Sequence, residues 1–164
     1  MEATVCTTYY NSPIGWINIT GTTQGIESVL FVEAEAPGST DLPACLEACV
    51  AQLAEYFRGE RQQFELPLAP RGTTFQQQVW EQLKTIPFGK TASYLQVARA
   101  ISGEKAIRAV GAANGRNPLC LVVPCHRVIG SDGSLTGYAG GLWRKEWLLR
   151  HEGVLKPEQQ LALF

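Results

Sequence analysis

The chain changes character near residue 70, and that change constrains its fold more than any other feature of the 164 residues. Ahead of it, residues 6–10, 15–20 and 26–32 are short runs rich in β-branched and aromatic side chains. Turn-forming stretches, NSP at 11–13 and GTTQG at 21–25, separate them. That pattern predicts three antiparallel strands. After a loop at 34–40, Asp41 stands in an N-cap position. Leu42, Leu46, Cys49, Val50, Leu53, Tyr56 and Phe57 then recur at helical spacing up to Gly59, a natural stop. Pro67, Pro70 and Gly72 interrupt every period between 60 and 72. We place a domain boundary there, dividing the chain into 1–70 and 71–164.

The second part reads as helical. Thr74 followed by Gln77 matches a capping box opening a helix that contains Val79, Trp80 and Leu83 and ends by IPFG at 86–89. Ser93 caps a short helix through Tyr94, Val97, Ala98 and Ile101, which Gly103 stops, and residues 104–113 form the next. Two short helices about a tight Ser-Gly turn are what a helix-turn-helix looks like in sequence. The second carries Lys105, Arg108 and, just beyond, Arg116, among small residues that permit close approach. Residues 114–118 read as a turn and 119–123 as a strand. Five glycines within 130–142 make that stretch a flexible loop or wing, and a last helix covers 143–150. The fold class is therefore α+β: a sheet with one helix, then a mostly helical, winged-helix-like domain.

Charge follows the same division. Residues 1–70 hold two Lys/Arg against nine Asp/Glu, a balance of −7; residues 71–164 hold twelve against six, a balance of +6. A basic half beside an acidic one points to a polyanion as its partner. With 45% apolar and 18% charged residues the composition is that of a folded chain, not a disordered one. No signal segment opens it and no apolar run could cross a bilayer, so a cytoplasmic protein without membrane association is expected. Five cysteines (Cys6, Cys45, Cys49, Cys120, Cys125) are an odd number in a compartment that disfavours disulfides. Cys45 and Cys49 share a helical face. With no histidine in that half they read as packed core thiols, and no metal is expected.

One stretch concentrates chemistry: LVVPCHRVIG, residues 121–130. A thiol of ordinary pKa is about 3% thiolate at neutral pH, so a nucleophilic cysteine needs an imidazole, a cation or a helix N-terminus beside it. Cys125 has His126 and Arg127 next in sequence. Neighbours on an ideal strand face opposite ways, so adjacency alone does not pair thiol and imidazole. Pro124 breaks the strand, and a water could bridge the two. A working histidine also needs an orienting carboxylate, and Asp132, Glu146 and Glu152 are candidates, Glu152 foremost because it ends a helix beside a glycine. Two readings stand: a Cys/His/acid relay, or a buried structural cysteine with a solvated His-Arg pair.

The motifs PFGKTASY (87–94), AIRAVGAANGRNP (106–118), VPCHRVIG (123–130), GYAGG (137–141) and KEWLLRHEG (145–153) resemble those of the O6-alkylguanine-DNA alkyltransferases, bacterial type. The resemblance is strong from Phe75 to Gly153 and weak before it. It implies an RNase-H-like N-terminal sheet and a C-terminal domain whose helix-turn-helix meets duplex DNA from the minor groove. It further implies direct-reversal repair: one irreversible alkyl transfer from O6-alkylguanine, with O4-alkylthymine as a second substrate, onto Cys125. His126 acting through a water and Glu152 behind it would take the thiol proton. Tyr94 would assist the leaving guanine and crowd the target phosphate, and Asn117 would brace the active-site turn. Arg108 would take the flipped base's place in the stack, while Ser93, Gln76, Arg116 and Ser131 would contact the DNA. A monomer with no cofactor is expected. Some relatives hold zinc through N-terminal Cys and His, and the absence of His there again argues for no metal. Ala139 stands where some relatives have Ser, which bears on pocket width. The alternatives are an alkyl-base binder without transfer, which Cys125 argues against, and a Cys/His hydrolase, which leaves Arg108 and the basic half unexplained. Arg127 is expected to bond backbone groups or an acid and so hold the turn.

Overall fold

A computed structural model describes residues 4–155. They divide into two compact units: residues up to 71 together with Pro118–Val122, and Gly72–Asn117 together with the chain from Val123 onward.

In the first unit β1 (Cys6–Ser12), β2 (Gly15–Thr22) and β3 (Gly25–Val32) form an antiparallel sheet in that order. Alternation buries Ile17, Ile19 and Gly21 of β2, and a register shift at Thr20–Gly21 puts Ile26 and Val29 of β3, three residues apart, opposite Gly21 and Ile19 on the same face. Helix α1 (Ala44–Phe57) contributes Leu46, Cys49, Leu53 and Tyr56 to the core. Gly21 is required where helix and sheet meet, because a Cβ there would lie 2.5 Å from the Gly25 carbonyl oxygen and 3.0 Å from the Leu46 side chain. The helix does not start after Asp41 as its side chain suggested. Asp41 adopts φ 52, and Pro43 is the N-cap. Proline biases the residue before it away from helical geometry, so Leu42 cannot open the helix. At the other end Gly59 takes φ 78 while the Glu60 N–H donates to the Glu55 carbonyl at 2.9 Å, the bond that closes a helix through a left-handed glycine. Cys49 is buried, which pushes its thiol up to about 12, and the half-buried Cys45 donates to the Thr22 carbonyl at 3.1 Å.

Residues 119–123 are not a strand. Only Leu119 bridges β3, opposite Val29, with the Cys120 N–H donating to the Val29 carbonyl at 3.0 Å. The chain then turns back, because the Val122 N–H donates to the Cys120 carbonyl at 2.8 Å around Leu121, which has φ 73. That is a γ-turn of the rare positive-φ form. Pro118 and Pro124 bracket the segment and have no N–H to give a ladder.

In the second unit α2 (Thr74–Leu83) is capped one residue earlier than its sequence suggested. The Gln76 N–H donates to Thr73 Oγ1 at 3.1 Å, and the Thr73 N–H to Gln76 Oε1 at 2.9 Å. Thr73–Gln76 and Thr74–Gln77 fit the motif equally. Packing favours the earlier register, since Gly72 lies so close to the Trp80 ring that a Cβ would come within 2.5 Å of it. Helix α3 (Tyr94–Ile101) has Ser93 as N-cap in a second capping box, with Gln96. Gly103, at φ 103, opens a 3-10 turn (Glu104–Ala106) that leads into α4 (Ile107–Gly115), so the helix reaches two residues beyond 113 into the expected turn. Trp80 ties α2 to α4 by donating from Nε1 to the Ala113 carbonyl at 2.9 Å. Two residues of β4 (Ala92–Ser93) pair in parallel with two of β5 (Val128–Ile129). Helix α5 (Leu142–His151) follows the glycine-rich loop and packs Leu149 with Leu135 and Leu155.

Candidate active site

Cys125, His126 and Arg127 form a single 3-10 turn entered through Pro124 at φ −80 and ψ 63. Those angles, with the Cys125 N–H donating to the Val123 carbonyl at 2.8 Å, are an inverse γ-turn. The Arg127 N–H closes the next turn on the Pro124 carbonyl at 3.0 Å. In a 3-10 turn successive side chains point about 120° apart, so thiol, imidazole and guanidinium are free to serve different neighbours. Asn117 braces the approach, donating from Nδ2 to the Val123 carbonyl at 2.9 Å. Immediately after the turn, Ala92–Ser93 pair with Val128–Ile129. That short ladder sets Tyr94, the next residue after Ser93, against the same site.

Cys125 lines a cavity of about 590 Å³. Its wall includes Tyr94, Arg108, Gly111, Asn114 and Asn117, and Thr136 to Ala139 from the glycine-rich loop. His126, which has no exposed surface, bonds through Nε2 to Glu152 Oε2 at 2.8 Å. Of the three acids open as its partner, Asp132 is occupied by Ser134 and Glu146 by Arg150 at 2.8 Å. Arg127 bonds the same carboxylate, from Nε to Oε1 at 2.7 Å and from Nη2 to Oε2 at 3.1 Å. Its Nη1 donates to the Ile86 carbonyl at 2.7 Å. The expectation for Arg127 therefore resolves into both of its parts, an acid and a backbone carbonyl.

The electrostatics follow from burial. Desolvation holds His126 below its ordinary pKa in spite of Glu152, so it is neutral at pH 7. Desolvation also acts to raise Glu152, but the hydrogen bonds and charges facing it prevail and hold it well below the ordinary carboxylate range. With His126 neutral, the permanent charge against that carboxylate is Arg127. An ionised Glu152 can only accept, so His126 carries its proton on Nε2 and Nδ1 presents a lone pair. Nδ1 is buried with no hydrogen-bond partner among the described residues.

The sequence did not single out Lys145. It is fully buried, donates from Nζ to the Gly137 carbonyl at 3.0 Å and lies 5.9 Å from the Tyr94 ring centroid. Burial pushes it down to about 8, against the attraction of Cys125. Its one sequence signal is position, since it shares the buried face of α5 with Leu148, Leu149 and Glu152.

Of the remaining expected residues Arg108 lines the same cavity as the thiol, and Arg116, Ser93, Gln76 and Ser131 do not. The outer face of α4 exposes Arg108, Ala109, Ala112, Gly115 and Arg116, small residues between two arginines. Ser93 and Gln76 serve as helix caps, and Ser131 is exposed in the loop before Asp132. Among the described residues no group of three or more His, Cys, Asp or Glu is placed to hold a metal. No helix there is long and apolar enough to cross a membrane.

Comparison with known proteins agrees with this geometry. Residues 5–70 match the 6-O-methylguanine DNA methyltransferase ribonuclease-like domain, and residues 74–154 match the DNA binding domain of the same family. A Methanosarcina acetivorans protein named methylated-DNA–protein-cysteine methyltransferase is 47% identical over 149 residues, covering 88% of this chain and 96% of its own. The crystal structure of Mycobacterium tuberculosis O6-methylguanine methyltransferase superposes with a TM-score of 0.82 at 41% identity, over 95% of this chain and 97% of that one. The Mycobacterium tuberculosis OGT structure in complex with DNA superposes with a TM-score of 0.79 at 44% identity, over 88% and 90% of the two chains. With both of its parts matched and near-complete coverage of its relatives, this chain belongs to the 6-O-methylguanine DNA methyltransferase family.

Proposed function

We propose that the protein is a methylated-DNA–protein-cysteine methyltransferase that reverses O6-alkylguanine damage by moving the alkyl group onto its own Cys125. The observation that carries the reading is a buried thiol lining a cavity large enough for a base, followed in the chain by a neutral histidine and an arginine that both bond the buried, ionised Glu152. His126 takes the thiol proton on Nδ1 through a water, and Glu152 steadies the imidazolium that forms. The thiolate attacks the alkyl carbon in line. The S–C bond forms as the C–O bond breaks, and O6 keeps the bonding pair. Tyr94 donates to the departing purine, and the proton taken from the thiol ends on the guanine. A thioether does not hydrolyse readily, so each molecule acts once. O4-alkylthymine is a second substrate by the same displacement.

The base reaches the cavity by leaving the duplex. The outer face of α4, small residues bounded by Arg108 and Arg116, suits approach from the minor groove, and Arg108 fills the gap in the stack. Tyr94 crowds the target phosphate, Asn117 holds the γ-turn, and Ser93, Gln76, Arg116 and Ser131 contact the strand. The protein works as a cytoplasmic monomer. Mixing it with a duplex that carries O6-methylguanine tests the reading. Mass spectrometry is expected to find one methyl on Cys125 and none in the Cys125→Ser variant, which still binds the duplex. An unchanged mass, or a label on another cysteine, refutes it.

A further inference from the structure

Helix α4 presents Ile107, Arg108, Gly111, Asn114 and Gly115 to the cavity, one stripe at helical spacing. Four of these suit the approach to DNA already described. Asn114 does not. It is 6% exposed, and its Nδ2 reaches toward the Cys125 carbonyl at 3.5 Å. That contact fixes which way the amide points, because the opposite orientation would set Oδ1 against a carbonyl oxygen. Oδ1 is left buried with no hydrogen-bond partner among the described residues. Buried carbonyl groups are rarely left so, and one on a side chain that lines a reactive cavity asks for a donor from whatever enters.

The chemistry of the entering bases then discriminates among them. Alkylation of guanine at O6 removes the proton from N1, so the 2-amino group is the one N–H donor left on the pairing edge. An O4-alkylated thymine has lost the proton from N3 and offers only acceptors there. An O6-alkylated hypoxanthine differs from its guanine counterpart in lacking the 2-amino group alone. We infer that Asn114 is a specificity residue whose Oδ1 accepts a hydrogen bond from the 2-amino group of the alkylated guanine. The inference rests on the alkyl-transfer reading and gives it a preferred substrate.

The test is the single-turnover rate of methyl transfer to Cys125 from duplexes identical except for O6-methylguanine, O6-methylhypoxanthine or O4-methylthymine. The readout is the guanine-to-hypoxanthine rate ratio, compared between the unaltered protein, Asn114→Leu and Asn114→Asp. How readily each lesion leaves its duplex is common to all three proteins and cancels. The ratio is expected to fall roughly tenfold in Asn114→Leu, the worth of one neutral hydrogen bond. It is expected to stand in Asn114→Asp, which keeps the acceptor. The guanine-to-thymine ratio should fall with it. Should Asn114→Leu not fold, Asn114→Ser shortens the side chain with less disturbance and carries the same expectation. A ratio unchanged in the Leu or Ser variant, with both rates slowed alike, makes Asn114 merely structural and overturns the inference while methyl transfer stands. No methyl on Cys125 from any duplex overturns both readings.

Discussion

Replacing Arg127 by methionine removes the three hydrogen bonds that its guanidinium makes, two to Glu152 and one to the Ile86 carbonyl. The Glu152 side chain has no exposed surface, so the variant leaves a buried carboxylate that keeps His126 at 2.8 Å but has lost the guanidinium. Removing one partner of a buried ion pair costs about 3–5 kcal/mol, because the remaining charge keeps its desolvation penalty. For a chain of this size that lowers the melting temperature by roughly 6–20 °C at pH 7.5. The pH dependence has a definite sign. In the unaltered protein Glu152 sits below its ordinary 4.5, so its stabilising contribution is present above that pH and is lost as pH falls toward the folded value. In the variant the buried carboxyl no longer faces a permanent cation and prefers its proton, so acid relieves the defect. The gap between the two proteins therefore narrows as pH falls, above about 4.5 because the variant is relieved and below it because the unaltered protein loses its stabilisation. Thermal unfolding followed by circular dichroism at pH 7.5 and pH 4 reads both effects. A double variant, Arg127→Met with Glu152→Gln, removes both charges and should cost at least about 2 kcal/mol less than the sum of the single changes. Additive costs, or an equal gap at both pH values, would refute the assignment of Arg127 as the charge that keeps Glu152 ionised.

Two further perturbations probe other parts of the site. Arg108→Ala should slow transfer from duplex DNA roughly 10- to 100-fold, the loss of a filled stack, while sparing reaction with the free alkylated base; equal losses refute the stack-filling role. Lys145, pushed down to about 8 from 10.5, binds its proton less readily folded than unfolded, so its burial penalty is full below pH 8 and fades as pH rises toward 10.5. Melting curves from pH 7 to 10 should show the unaltered protein gaining stability relative to Lys145→Met by about 3 kcal/mol. Parallel curves mean that the lysine binds its proton as readily inside the fold as in the unfolded chain, and they refute the shift.

The sequence by itself determined what depends on near neighbours. β-branched and aromatic runs between turn stretches marked β2, whose Ile17 and Ile19 are buried, and the 3.6-residue period of Leu46, Cys49, Leu53 and Tyr56 marked α1. Ser93 marked the start of α3, since an N-cap satisfies orphan N–H groups within a few residues, and the structure adds Gln96 to complete a capping box. The reactive motif and its partners His126 and Glu152 were legible too, by resemblance. Where two local solutions were equally good, as at Thr73 and Thr74, packing chose between them. At 119–123 an apolar run that reads as a strand bends into a γ-turn because proline at each end denies it a ladder. Residue patterns left Asp132, Glu146 and Glu152 open, resemblance pointed to Glu152, and the tertiary structure brings it to His126, 26 residues away. Tertiary structure alone gave Arg127 the same carboxylate, buried Lys145 beside the glycine-rich loop, and left Asn114 Oδ1 in the cavity wall without a partner. Each of these is a long-range meeting of polar groups in a dry interior. Its energy depends on which groups are excluded from water together, and no local pattern of residues encodes that.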